Sequence, residues 1–587
     1  MKSCKMSGRR ASLLLASLLA GAGILSAADD ATTTAVPQNS TANTVTADLS
    51  ASEEIARLKT ALAEQQKQLQ ALQQVLQNQQ QLIEKAVGTS ATAAAPAGPQ
   101  HANLGTVASL SPVIPAPAPL PVSIASPRPQ PPAGGGGNPC ESAPDTNAVP
   151  PYLRLGSVCI VPVGFMDFTP FWRDKNAGSS MGSNFGSVPY NNTSAGNLSE
   201  FHMSLQNSRL GFRVDGDWKG THFIGYNEFD FNGTSGATNL ATSNGAIVPR
   251  LRLFWLDVRK GQWEFLAGQS WSMLTPNRVG ISALPGDLFY TQVIDINYMA
   301  GLTWTRQPGA RILWHPSDKL TFGFSVEQGD NYSGGSGGEG SITLPTALAG
   351  LVPGQLDQNT NIGTSGAGYL AAPAFTPDFI AKIAWDPSSR FHLDVTGVES
   401  NFKTTALSAP FISHTTNGGG IQFGMNGEIF KNFRLMTTNF WSDGDGRYLF
   451  GEAPNFIVRA DGSLSPVHSG GTIDGFEARI KNYLLYGYYG GIYVGRNVAY
   501  DANGTTPIGW GYHGSANSQN RAIQELTFGF NKTMWSNPRY GAINFMGQYE
   551  WLERAPWYVA TNSPKGTHDS TIYLDVRYTL PGSMPKF

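Results

Sequence analysis

The sequence predicts an all-β fold, a transmembrane antiparallel β-barrel of about 16 strands, preceded by an α-helical coiled coil and a disordered Pro-rich linker. Three observations carry this reading. From about Val161 onward, apolar and polar residues alternate with period two. Short and long connections between the alternating segments follow one another without exception. A secretory leader opens the chain.

Lys2, Lys5, Arg9 and Arg10 form the basic start of that leader, Ala11 to Ile24 its apolar core, and Ser26-Ala27-Ala28 a cleavage site, giving a signal peptide over 1–28. Residues 29–51 are a flexible Thr/Ala/Ser-rich lead-in. Over 52–87, Ile55, Leu62, Leu69, Leu76 and Ile83 take the a positions of a heptad, and Leu58, Leu72 and Ala86 the d positions. Gln65 and Gln79 interrupt the d set, which can fix register at some cost in stability. The stripe is narrow and the other faces polar, which favours a self-associating coiled coil over a lone helix on the barrel. Residues 88–150 are rich in Pro, Ala, Gly and Ser, a composition that builds no core.

Of 3 cysteines, Cys4 leaves with the leader. Cys140 and Cys159 remain, an even pair in an oxidising periplasm, and a disulfide between them would pin the linker where the barrel begins. Two free thiols are the alternative. The net charge of -2 and the 14% of charged residues leave no nucleic-acid footprint. No apolar run of roughly 18 residues follows the leader, so a helical span is excluded.

The barrel is expected over 151–587. In its last segment, Ile572, Leu574, Val576, Tyr578 and Leu580 alternate with Tyr573, Asp575, Arg577 and Thr579. Leu320, Phe322, Phe324 and Val326 alternate likewise with Thr321, Gly323, Ser325 and Glu327. One face is wet and one apolar. Tight turns are expected at Asp217–Gly220, Arg259–Gln262, Pro316–Lys319, Asp386–Ser389, Lys431–Asn432, Lys481–Asn482 and Ser536–Pro538. Long Gly/Ser/Asn-rich connections lie between them, the signature of short periplasmic turns and long outer loops. Trp218, Trp314, Trp385 and Trp535 stand beside short turns, as an interfacial girdle requires.

The functional candidates are the charges aimed at the lumen. Alternation points Arg209 and Arg213 inward, then Glu228 and Asp230, then Arg252, and later Lys382, Asp394, Glu428, Arg479, Glu550, Asp575 and Arg577. Such side chains set the selectivity of a hydrated pore through their field. A wall salt bridge competes for each of them, and Glu228 and Asp230 can pair with Arg209 and Arg213 across strands. The segment Thr275 to Thr305 is apolar for a loop and carries Asp287 and Asp295, so it should fold into the barrel and narrow the pore. An outer packing role or a trimer contact is the alternative.

Four motifs appear in order: Asn207-Ser208-Arg209-Leu210-Gly211-Phe212, Glu228-Phe229-Asp230-Phe231, Arg250-Leu251-Arg252 and Leu266-Ala267-Gly268-Gln269-Ser270-Trp271. With these, residues 160 to 275 resemble the DcaP-like (dicarboxylate-porin) family of trimeric outer-membrane porins, whose layout also includes a preceding coiled coil. The resemblance implies a homotrimer in a lipid and lipopolysaccharide outer membrane, passing small hydrophilic solutes such as dicarboxylates. The coiled coil and linker would lie in the periplasm, where the coiled coil is free to meet a cell-envelope partner. A structural barrel that tethers the envelope through this coiled coil is the competing function. The 9 histidines show no metal-ligand spacing, so no cofactor, metal or enzymatic activity is expected.

Overall fold

The computed structural model describes residues 152–581, apart from 178, 180, 234–247, 290–291, 336–339, 349–373, 406–409 and 411. The expected leader, coiled coil, linker and Cys140 lie outside the described residues.

Strands β1 (Leu153–Leu155) and β2 (Val158–Arg173) open the sheet, followed by β3 (Glu200–Ser204), β4 (Arg209–Trp218), β5 (Thr221–Gly233) and β6 (Val248–Lys260). It continues through β7 (Trp263–Trp271), β8 (Arg306–Ser317), β9 (Leu320–Glu327), β10 (Asp378–Ser388) and β11 (Phe391–Thr405). Next come β12 (Ser413–Phe430) and β13 (Phe433–Asp443), and then a loop ribbon of β14 (Phe456–Val458) and β15 (Leu464–Pro466). β16 (His468–Ile480) and β17 (Tyr483–Val494) lead to a second ribbon, β18 (Asn497–Tyr500) with β19 (Pro507–Trp510). β20 (Asn520–Asn537), β21 (Gly541–Pro556) and β22 (Thr567–Thr579) complete the chain of strands.

Every neighbouring pair is antiparallel, and β22 returns to β2, with Val576 opposite Phe168. β3 and β4 both pair with β2, Ser204 opposite Thr169 and Gly211 opposite Val163, so they form one spanning strand interrupted at 205–208. β1 adds a 3-residue hairpin to β2. The result is a closed barrel of 16 spanning strands. Closure follows from the solvent: acyl chains cannot satisfy a free strand edge.

The short hairpins fall where the turn chemistry places them. Lys219 (φ 50°) and Gly220 (φ 74°) are both left-handed, the geometry that matches the twist of a two-residue hairpin. Asn432 (φ 68°) and Lys481 (φ 55°) supply the same conformation in their turns. Trp218, Trp314, Trp385 and Trp535 are all exposed at that end, and Trp314 stacks on Trp263 at 6.2 Å. The expected apolar rows face outward: Phe324, Ile572, Leu574 and Val576 are exposed while Ser325, Tyr573 and Asp575 are buried.

Part of the interior is packed among the described residues. Loop residues Phe185, Met273, Leu274, Ile281, Tyr448, Leu449, Phe456, Val458 and Trp510 form one apolar cluster with wall residues Ile380, Val398, Phe402, Phe440, Ile492 and Ile523. Several long connections therefore fold inward, joining apolar faces that wall and loop would each expose alone. Cys159 lies on the inner face of β2, fully buried and disulfide-bonded, and its partner lies outside the described residues.

Candidate pore-lining site

The site is built on the 272–305 loop, which leaves β7 and crosses the lumen before entering β8. Its first turn is laced to β10, β11 and β12. The Lys382 ammonium donates to the carbonyls of Met273 (3.1 Å) and Thr275 (2.9 Å) and to Asn277 Oδ1 (3.0 Å). Asp394, 3.7 Å from Lys382, accepts from the Asn277 amide at 3.4 Å. Gln422 donates to the Leu274 carbonyl at 2.7 Å. Arg278 forks onto Glu477 at 2.9 and 2.5 Å. Asp287, nearly buried, accepts from Ser282 Oγ at 2.9 Å within the loop.

The last part of the loop reaches β20, β21 and β22. The Ile294 amide donates to Gln548 Oε1 (2.6 Å), and the Ala300 amide to Glu525 Oε2 (2.9 Å). Asp295 accepts from the Ser183 amide (2.8 Å), the Asn297 amide (2.6 Å) and the Tyr573 hydroxyl (3.2 Å). Burial raises the Asp295 carboxyl above its ordinary range, against these donors. Glycine permits the closest approach. A Cβ on Gly490 would stand 2.1 Å from the Ala300 carbonyl oxygen, and one on Gly301 (φ +90°) would stand 2.4 Å from that of Thr472. The loop backbone thus rests directly on the β16–β17 wall.

Between these anchorages the loop presents Tyr298 to a row of arginines. Its hydroxyl accepts from Arg252 Nη2 (3.0 Å) and Arg209 Nη2 (3.4 Å). Trp271, Tyr298 and Trp304 form an aromatic triad with centroids 5.5 to 5.7 Å apart. The Arg306 guanidinium lies over Trp271 (5.3 Å) and Trp304 (5.1 Å). Burial pushes the Tyr298 hydroxyl up, but Arg209, Arg252 and Arg306 outweigh it and hold it below the usual phenol value. Glu228 and Asp230 balance the row: Arg252 bonds Glu228 at 2.8 Å and Asp230 at 2.9 Å, and Arg250 also grips Asp230.

Arg209 and Arg577 flank the Phe165 ring at 5.0 and 4.1 Å. Arg577 also forks onto Asp167 at 2.7 and 2.8 Å. Beside them is a cavity of about 60 Å³, lined by Arg209, Arg577, Asp295, Tyr298, Asn207 and Gln292 among others. That volume holds a few waters or a small ionised group. Arg213 stands apart toward the short-turn end, 2.7 Å from Asp215.

The structure therefore groups Arg209, Arg252, Glu228, Asp230, Asp295 and Arg577 at one end of the loop, and Lys382, Asp394 and Asp287 at the other. Arg252, Lys382, Asp394 and Asp230 are buried in ion pairs rather than open to a channel. Sequence reasoning missed Arg306, Tyr298 and Arg278. Arg306 precedes the clear alternation of its strand, and a single loop tyrosine or arginine carries no periodic signal.

These features define the class of a closed antiparallel β-barrel of 16 spanning strands with an inserted loop. The outer-membrane channel DcaP of Acinetobacter baumannii shares this fold, with a TM-score of 0.52 at 17% identity over 73% of this chain and 100% of that chain. The outer-membrane protein OmpT of Vibrio cholerae (TM-score 0.38, 9% identity, 73% and 99% coverage) is also similar. So is the anion-selective porin of Comamonas acidovorans (TM-score 0.38, 11% identity, 72% and 99% coverage). No family model and no curated protein matches the chain.

Proposed function

We propose that the chain is a porin: an exported outer-membrane channel for passive diffusion of small hydrophilic solutes, leaning toward small organic anions such as dicarboxylates. The observation that carries this is the pair Arg209 and Arg577, which flank Phe165 and line the cavity beside Tyr298. Arginine stays charged at any working pH and grips carboxylates in a forked geometry. In this reading the barrel is a homotrimer without catalytic activity or cofactor. The leader is removed, the coiled coil and linker occupy the periplasm, and Cys140 is the partner of Cys159. The test is planar-bilayer recording of the full chain under a salt gradient. Wild-type protein should show anion-leaning reversal potentials and block by succinate. Arg209→Gln with Arg577→Gln should move the reversal potential toward cations and relieve the block.

The apolar cluster inside the lumen favours a second reading, a filled barrel that anchors the envelope through its coiled coil. That protein would insert into bilayers and conduct negligibly, so the same recordings separate the two.

A further inference from the structure

The outer ends of β17, β20, β21 and β22 lie side by side in the sheet. Tyr493, between the inward Ile492 and Val494, faces out there, and about ten residues separate it from Tyr483 beside the Lys481–Asn482 turn. At a rise of about 3.3 Å per residue and a tilt of about 40°, that is roughly 25 Å, the height of the apolar band of an outer-membrane barrel. Tyr493 therefore marks the upper aromatic girdle, and the residues just past it meet the headgroups of the outer leaflet.

Trp557, the first residue past β21, is fixed at this level. Its indole Nε1 donates to the Val494 carbonyl at 2.9 Å, and its amide donates to the Gln519 carbonyl at 3.1 Å. Tyr493 meets the ring edge-on at 6.2 Å. Gly511 (φ +73°) makes room for it, since a Cβ there would stand 2.6 Å from Trp557 Cδ1. Two arginines lie on this one ring, Arg496 from just past β17 at 4.6 Å and Arg521 from the start of β20 at 5.9 Å. Both are exposed, and among the described residues neither makes an ion pair or a hydrogen bond. A guanidinium stacked by its face keeps its in-plane N–H groups for other acceptors, and a fixed indole removes part of the ordering cost of using them. Lys565, exposed in the connection that enters β22, joins the same rim, because Gly566 stands against Ala555. The outward carboxylate of these strands, Glu553, is one outward row lower and opposite His568.

We propose that Arg496, Arg521 and Trp557 form a binding site for a phosphorylated glycolipid of the outer leaflet. Its phosphates rest on the two guanidiniums and Lys565, and its acyl chains run down the outward wall below Tyr493. Arginine forks onto phosphate oxygens as it does onto carboxylates. The depth selects a lipid over a dissolved anion, because the site opens beside the acyl zone. The cluster of cations selects a headgroup with more than one phosphate over a zwitterionic one, which brings its own ammonium.

The test is native mass spectrometry of the full chain folded in detergent, with diphosphorylated lipid A as the probe. Wild type should retain the lipid. Arg496→Gln with Arg521→Gln should weaken retention about thirtyfold, roughly fivefold for each cation, while the barrel stays heat-modifiable. Arg496→Lys with Arg521→Lys keeps the charge and loses the fork, and should fall between the two. Lys319→Gln with Lys481→Gln, at the short-turn rim, should bind as wild type does. Undiminished retention in the glutamine variant overturns the site. If that variant does not fold, the lysine variant decides, and wild-type retention in it overturns the assignment to the guanidiniums. Equal losses from the two rims reduce the effect to net charge and refute the proposal. Retention of dephosphorylated lipid A or of phosphatidylethanolamine at the wild-type level overturns the phosphate. Inorganic pyrophosphate bound as tightly as lipid A overturns the lipid.

Discussion

Removing one ammonium should loosen the inserted loop. Lys382 is buried completely, beside an equally buried Asp394 at 3.7 Å, and holds three acceptors on the first turn of the loop. Lys382→Met keeps the length of the side chain and deletes the charge. Breaking a buried ion pair by removing one partner costs about 3–5 kcal/mol, and the lower end applies because Asp394 keeps His392 Nε2 at 3.1 Å. Two carbonyls also lose their donor. Other contacts survive, among them Gln422 to Leu274 and Arg278 to Glu477, so the loop should detach locally while the barrel stays closed. A shift of about 3 kcal/mol is roughly a hundredfold in the ratio of detached to seated loop. Hydrogen exchange of the amides over 273–281 should accelerate by about that factor, and single-channel current should become noisier and larger. Lys382→Met with Asp394→Asn, which removes the carboxylate that has lost its ammonium, should recover part of the protection. Wild-type exchange and current in the single variant would refute the claim that this cluster seats the loop.

Gly301→Val should unseat the other end of the loop, because its Cβ would meet the backbone of β16 and β17 and Gly301 has φ +90°; lost protection of the Ala300 amide is the readout. Asp445, buried in the 444–467 loop beside Asp378, Arg447 and Asp443, has its carboxyl pushed up to about 7 by burial first and then by Asp378. The folded value exceeds the unfolded one, so this contribution to stability is complete below about pH 4 and is lost as pH rises through 7. Protection of the 444–467 amides should fall over that window in wild type and stay level in Asp445→Asn. Deleting residues 29–138 should leave a closed, heat-modifiable barrel, since closure needs no edge cover from outside; loss of the folded band in semi-native electrophoresis would count against it.

The sequence by itself determined the barrel. Period-two alternation in strands such as Thr567–Thr579 assigned one face to lipid and one to the lumen. Turn residues such as Lys219-Gly220 and Lys431-Asn432 marked the short end. The apolar character of Thr275–Thr305 announced a loop that would not stay in water. These features were legible because lipid imposes one rule on every spanning residue, and that rule leaves a regular trace. Inward charges such as Arg209 and Lys382 were legible from the same rule. What they bind was not. The tertiary structure alone brought Tyr298 between Arg209 and Arg252, set Lys382 under Met273 and Thr275, and laid Ala300 on Gly490. Those partners are far apart in the chain, and no local period links them. It also decided that several long connections pack inward against the wall, because apolar faces of separate loops find one another only after the barrel has closed around them.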